Sequence, residues 1–371
     1  MPEPIKISQP HRFFLNMGPQ HPSTHGVLRV ILEMDGEYIV EPQPVLGYGH
    51  RMQEKMAECR SWPGFLPNTA RMDYAGVLPY NHGYVALIER LTGVEVPLRA
   101  EYIRVITSEL NRIASHLIWY GALLLDLGAF TPILYTFDDR EKILDILEDI
   151  TGSRLTYCYF RVGGVSKDID DKFVDLTREF IKRLRSRFSM YEKLVNDNVI
   201  FINRMKGIGV IDADMCRRYG VTGPVARGSG ISYDMRKSEP YSVYPEFDFD
   251  IPVGEHGDAM DRFLVRFREM EQSLRIIEQG LDKLPEGPFL SKVPKKLKLP
   301  AGDCNFSVET ARGSLSYYMV SDGSDVPYRL KIRVPSYSNL SVLPELCRGM
   351  LLSDLVAAMG SFDLVIPEID R

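Results

Sequence analysis

The sequence predicts an α+β protein dominated by helices, a long-helix bundle core with small β units at both ends of the chain. Three features carry that expectation. Residues 98–126, "LRAEYIRVITSELNRIASHLIWYGALLLD", place Ile103, Ile106, Leu110, Ile113, Leu117 and Leu124 at helical spacing on one face. Amphipathic stretches near 138–151, 168–197 and 256–283 repeat the scheme, and four such helices pack as a bundle. At the ends, "VLRVILEMDGEYIV" (27–40) alternates around Asp35-Gly36, a dipeptide that favours a two-residue hairpin turn, and "SYYMVSDGSDVPYRLKIRVP" (316–335) reads as two strands about a Gly-containing turn.

Taken in order, these elements describe one domain over 1–371: a β unit at 12–48, a helical core at 50–283, and a C-terminal strand pair and helix at 303–371. Between 50 and 90 Pro63, Pro67 and Pro79 interrupt the helical pattern. The stretch 168–197 carries Phe173, Leu176, Phe180, Leu184 and Phe188 on one side and a mostly basic opposite side, expected to be a solvated face. Phe263, Phe267, Met270, Leu274, Ile277 and Leu281 mark the apolar side of 256–283. Residues 285–302, rich in Pro and Lys, read as a surface connection, and 340–359 as a closing helix.

Composition excludes several functions. A net charge of −5 and a pI of about 5.9 leave no electrostatic footprint for nucleic acid. Cys59, Cys158, Cys216, Cys304 and Cys347 contain no CxxC pair, so neither zinc nor an iron–sulfur cluster is expected on them. They read as reduced cysteines, and "MPEPIKISQPHRFF" has no apolar signal core, so a cytosolic location is expected. The longest apolar run, 117–130, is broken by Asp126 and falls short of the roughly 20 residues a bilayer span requires. No GxGxxG, GxxxxGK[ST] or GxSxG motif occurs; "GIG" (207–209) and "RGSGIS" (227–232) read as turns.

Two features ask for a function. His21 and His25 stand four residues apart in "GPQHPSTHGVLR" (18–29), but Pro22 and Gly26 argue for irregular backbone and against a helical metal pair. On 98–126 a second stripe, Ser108, Arg112, Ser115, Trp119, Ala122 and Asp126, steps by four and three along another face, and is expected to meet water, a partner or a cavity.

With "RMDY" (71–74), "SELNRIASHL" (108–117), "LDLGAFTP" (125–132), "YFRVGGV" (159–165), "VSDGS" (320–324), "PYRLKIRVP" (327–335) and the terminal "EIDR", that first loop resembles the D-type, or 49-kDa-type, subunit of respiratory NADH:quinone oxidoreductase, complex I, over nearly the whole chain. The family is similar to the large subunit of nickel–iron hydrogenases, whose C-terminal Asp-Pro-Cys-x-x-Cys-x-x-His here reads "DLVIPEIDR" (363–371). Val365 and Glu368 stand in the thiolate places and Arg371 in the histidine's; without soft thiolates no nickel–iron centre is held. The resemblance implies that the vacated cleft admits a quinone headgroup. By likeness His25 and Tyr74 bracket it as catalytic donors, with Asp126 orienting His25. His21, Thr24, Asp73, Phe130 and Arg371 are implied for the quinone cavity.

The same resemblance sets Arg51, Arg71 and Arg161 toward the terminal iron–sulfur cluster, carried by a neighbouring small B-type subunit, with Glu54 beside Arg51. No cofactor is implied on this chain alone; quinone is substrate. Implied partners are that small subunit, a 30-kDa C-type subunit, a membrane H-type subunit and a ferredoxin-like I-type subunit. The chain is implied to be peripheral, on the cytoplasmic side of the inner membrane, inert alone and part of a proton-translocating enzyme. It departs from the family at Thr156, where many relatives carry a histidine, which implies a weaker pH dependence of the cluster's potential. It departs again at 285–305, shorter than usual, and at Ser314 and Ser316. Two other readings are a degenerate membrane-bound hydrogenase large subunit, and a scaffold or quinone-site subunit of a related complex fed by ferredoxin or a deazaflavin.

Overall fold

The computed structural model describes residues 12–20, 26–294 and 297–371. Strands β1 (Arg12–Met17), β2 (Arg29–Asp35) and β3 (Tyr38–Val45) form an antiparallel sheet in that order. Asp35 pairs with Tyr38, so the turn residues are Gly36 and Glu37, one position later than the dipeptide suggested. Gly36 takes φ 60 at the first turn position, as a type II′ hairpin turn needs. The interrupted stretch becomes α1 (Gln53–Ala57), α2 (Trp62–Thr69) and α3 (Val77–Thr92), with Pro63 in the first turn of α2, where an N–H has no helical partner to lose.

Helix α4 (Leu98–Asp126) spans 29 residues, about 43 Å at 1.5 Å per residue. Its six apolar-stripe residues are all buried, each contributing about 1.5–3 kcal/mol of burial. It packs on α5 (Thr131–Thr151), which begins earlier than expected because Pro132 opens its first turn and an apolar run hides the period. Two short strands, β4 (Phe160–Arg161) and β5 (Gly164–Val165), precede α6 (Asp171–Tyr191), which ends in a π-helical turn, Glu192–Asn196. The basic side of α6 is solvated only in part: Lys172 and Lys182 are exposed, whereas its arginines are half-buried and paired. Arg183 and Arg187 reach Asp138 of α5, at 2.5 and 3.0 Å, and Arg185 reaches Glu271 at 3.1 Å.

The short helices α7 (Val199–Met205), α8 (Ala213–Tyr219), α9 (Pro224–Gly228) and α10 (Met235–Ser238) lead to α11 (Ala259–Asp282), which carries Glu271 and completes the bundle against α4 and α6. Asp258 caps α11 by accepting from the Asp261 N–H at 2.8 Å. The C-terminal strand pair is a three-stranded meander, β6 (Gly302–Glu309), β7 (Ser314–Ser321) and β8 (Arg329–Arg333), because the polar-rich "GDCNFSVE" adds a strand. In place of one closing helix stand α12 (Pro335–Leu340), α13 (Leu343–Leu346) and α14 (Leu352–Phe362), Pro335 and Pro344 opening the first two, followed by α15 (Ile366–Ile369).

Two apolar cores result. The larger joins α3, the bundle and one face of the C-terminal sheet; the smaller joins the N-terminal sheet to α14 and α15. Met72, Val77 and Tyr80 belong to the larger, and Phe362, Leu364 and Ile366 to the smaller. Among the described residues no helix is long and apolar enough to cross a membrane.

Candidate functional site

Between α2 and α3 the chain makes a tight turn around Asp73. Its Oδ1 accepts from the N–H of Ala75 (3.0 Å) and Gly76 (2.9 Å), while Asn111 of α4 donates to the Ala75 carbonyl (3.1 Å) and accepts from the Leu78 N–H (2.9 Å). A Cβ on Gly76 would stand 2.7 Å from Asp73 Oδ2, so the turn closes only around glycine. Asp73 is buried and Tyr74 is turned outward, 47% exposed.

Opposite Asp73 stands Arg312, on the four-residue turn (310–313) that joins β6 to β7. Its Nη1 donates to Asp73 Oδ2 at 2.8 Å and Ser115 Oγ at 2.9 Å, and its Nη2 to Asp363 Oδ1 at 3.1 Å. Asp363 follows α14 with φ 58, a turn set by Arg266, which donates to the Ser361 and Phe362 carbonyls at 2.7 and 2.9 Å. Burial opposes the Arg312 charge, and the Asp363 and Asp73 carboxylates outweigh it. Partial burial, with Asp73 and Asp363, pushes the Tyr74 phenol above its ordinary value against the pull of Arg312. Tyr74 therefore keeps its proton at neutral pH, and is a donor.

The C-terminal segment forms the other side. Glu368 is fully buried, accepts the Ser336 N–H on Oε1 at 2.9 Å and is paired with the Tyr80 hydroxyl through Oε2. Burial, then the nearby Asp73 charge, pushes its carboxyl well above the usual range, which favours the protonated form. Asp370 accepts the N–H groups of Gly47 and Gly49 at 2.8 and 2.6 Å, tying the segment to the loop after β3. Arg371 pairs with Glu54 at 3.4 Å and lies 5.1 Å from the Tyr337 ring centroid. The two places that the resemblance aligns with hydrogenase thiolates thus hold a buried valine and a buried acid, and the histidine's place an engaged guanidinium, a set without soft ligands that does not fit nickel. Among the described residues no group of three or more His, Cys, Asp or Glu is placed to hold a metal.

Because the folded-state pKa of Glu368 lies above its unfolded value, folding binds a proton there. Its stability contribution is complete below the unfolded carboxyl pKa and falls as pH rises toward the folded one. Glu368→Gln, neutral at every pH and able to keep both hydrogen bonds, is expected to flatten that fall. Thermal midpoints of the two purified chains, equal at acid pH and higher for the variant at alkaline pH, would show it; parallel curves would refute it.

The other expected residues distribute as follows. Arg51, Arg71 and Arg161 are exposed; Arg51 donates to the Arg71 carbonyl at 3.0 Å, and Arg161 to the Cys158 carbonyl at 2.7 Å. Asp126 and Phe130 stand at the α4–α5 junction, Phe130 73% exposed, beside a cavity of about 220 Å³ lined by Leu124, Leu127, Pro132 and Phe201. Eleven residues of helix separate Asp126 from Ser115, about 16 Å at 1.5 Å per residue, so the junction and the Arg312 turn meet α4 at different levels. His21, Thr24 and His25 lie outside the described residues. The described chain resumes at Gly26 against Ile366, whose Cγ1 would be 3.6 Å from a Cβ there.

Four of the six residues in the second stripe of α4 depart from the expectation that it faces water, a partner or a cavity, while Ala122 and Asp126 at its end stay partly exposed. Ser108, Arg112, Ser115 and Trp119 are buried within the protein. Arg112 donates to the Glu309 and Thr310 carbonyls, both at 2.7 Å, and Trp119 to the Gly360 carbonyl at 2.7 Å. Arg312, the centre of the arrangement, carries no signal in the sequence, where only Ser314 and Ser316 nearby stand out, as departures from the family.

Comparison with known proteins gives the arrangement its context. Residues 126–298 and 291–371 match the model of the family described as respiratory-chain NADH dehydrogenase, 49 kDa subunit. The chain is 61% identical over 360 residues to the D-type subunit of NADH-quinone oxidoreductase from Syntrophobacter fumaroxidans, covering 97% of this chain and 96% of the relative. It is 58% identical over 372 residues to the D-type subunit from Desulfotalea psychrophila, covering all of both chains, and 46% identical over 357 residues to that from Bacillus anthracis, covering 96% and 98%. The family's fold is that of hydrogenase large subunits, which the helix bundle with its small sheets matches. The chain belongs to the 49-kDa subunit family of respiratory-chain NADH dehydrogenase.

Proposed function

We propose that this chain supplies one wall of the quinone-reduction cavity of a proton-translocating NADH:quinone oxidoreductase. A small B-type subunit carrying the terminal iron–sulfur cluster closes the other wall, and C-, H- and I-type subunits complete its surroundings. Alone the chain is inert, since its electrons come from the partner's cluster. It sits at the membrane periphery, on the cytoplasmic side.

The observation that supports this best is Tyr74: a phenol that keeps its proton, presented on the open side of a turn whose other residues are pinned. Quinone accepts two electrons from the cluster and two protons, becoming quinol, and charge develops on its carbonyl oxygens. Tyr74 donates its O–H to one of them and is reprotonated before the next turnover. His25 serves the other oxygen, with Asp126 as its orienting carboxylate, while His21, Thr24, Asp73, Phe130 and Arg371 shape the cavity. Arg51, Arg71 and Arg161 face the cluster, where cationic side chains favour its reduced state.

A photoreactive benzoquinone applied to the assembled complex tests the assignment. Labelling of 71–76 or 363–371 that excess quinone suppresses is the expected result. Labelling confined to other segments of the chain, or to other subunits, would overturn it.

A further inference from the structure

We propose that Arg312 is a positioning residue for quinone reduction: it clips the turn carrying Tyr74 to the C-terminal segment and so fixes where the phenol stands. This rests on the reading of Tyr74 as the proton donor, and goes beyond it in assigning the group that aims it.

The geometry is that of a clamp. One guanidinium bonds three segments far apart in sequence: Asp73 on the α2–α3 turn, Ser115 on α4 and Asp363 after α14. The partners are 239, 197 and 51 residues away, and the flanking segments belong to different apolar cores. Asn111 holds the turn from the Ala75 side, so Tyr74 stands between two anchors, of which Arg312 alone reaches the opposite wall. The hairpin turn is itself fixed, since the Thr310 N–H donates to the Gly313 carbonyl at 2.8 Å and Asn339 donates to the Arg312 carbonyl at 3.3 Å.

The chemistry is specific to arginine. Its two Nη atoms diverge in one plane and serve two carboxylates at once, whereas a lysine ammonium, a compact charge on a flexible stem, serves one. Apolar side chains of similar volume could fill a buried site at no loss of stability, so a charge kept there invites a role in aiming rather than in holding the fold.

The test is a double-mutant cycle in the assembled complex, using a short-chain benzoquinone as acceptor and hexacyanoferrate, which draws electrons before the quinone site, as the measure of assembly. Arg312→Lys is expected to lower kcat with quinone about tenfold while KM moves less than about threefold, the signature of a misaimed donor in a formed cavity. In the Tyr74→Phe background the same substitution is expected to cost less than about twofold more, because the residue it aims is gone. Equal losses in both backgrounds, or a loss in KM alone, would overturn the proposal while leaving Tyr74 as donor. A silent Tyr74→Phe would instead remove the donor reading, and the clamp with it. Should Arg312→Lys prevent assembly, Ser115→Ala, which deletes one of the three acceptors, takes its place: a loss of about twofold only when Tyr74 is present supports the clamp, and an equal loss in both backgrounds refutes it.

Discussion

Tyr74→Phe is expected to lower quinone reduction by the assembled complex about 10²-fold, the lower end of what one positioned general acid contributes. The substitution removes only the phenolic oxygen, from a residue that is 47% exposed and whose hydroxyl makes no hydrogen bond among the described residues, so stability should hardly change. Electron flow to hexacyanoferrate should stay normal, because the cluster and its supply are untouched. Loss of kcat with little change in KM would mark an interaction made chiefly in the transition state. The phenol is held above its ordinary value by burial and by the Asp73 and Asp363 charges, so Tyr74 should contribute no alkaline limb to the rate near neutral pH. Undiminished quinone reduction would leave a scaffold reading in its place.

How much of this was legible in the sequence depends on the range over which each feature acts. The bundle was, because α4 buries Ile103 through Leu124 at a spacing that only a helix satisfies. The start of α5 was not, since "TPILYTF" is apolar throughout its first turns and shows no period, and β6 was not, since its polar residues dilute the alternation. That the arginines on the basic side of α6 are paired was not legible, because their acids lie on α5 and α11, invisible until the helices pack. Asp73 and Tyr74 entered through family likeness. Arg312 could not enter from the residues at all, for its meaning lies in two aspartates 239 and 51 positions away. At Glu368 the sequence shows only the thiolate place it fills by family likeness; that its carboxyl is buried and raised follows only from the fold, with Tyr80, Ser336 and Asp73 around it.

Arg227→Met is expected to destabilise the chain by about 3–5 kcal/mol, the range for removing one partner of a buried ion pair. The residue lies in a buried polar group at the centre of the bundle, where the guanidiniums of Arg112, Arg227 and Arg236 face the carboxylates of Glu109, Asp234, Glu269 and Glu309. Arg227 donates to Glu269 Oε1 at 2.7 Å and to Glu309 Oε1 at 2.9 Å, so its loss strands two acids at once. Glu269 keeps its other oxygen 3.1 Å from His116 Nε2, and among the described residues the Glu309 carboxyl keeps only the Met235 N–H, at 3.3 Å. Their present pKa values run in opposite directions. Burial pushes Glu269 up, yet Arg227 and His116 bring it down to about 2, whereas burial and the Asp234 charge hold Glu309 above its ordinary value. Glu269 therefore adds stability above its unfolded pKa that is lost as pH falls toward 2, and Glu309 adds stability at acid pH that fades as pH rises. Glu309, already disposed to carry a proton, is the natural site of compensation: Arg227→Met with Glu309→Gln should recover part of the lost stability, and should do so more at pH 8 than at pH 5. Urea unfolding of the single and double variants at both pH values measures this. Equal recovery at both would mean that Glu309 is not the acid left without its counter-ion, and a fully stable Arg227→Met would mean that the buried charges are held by their other hydrogen bonds alone.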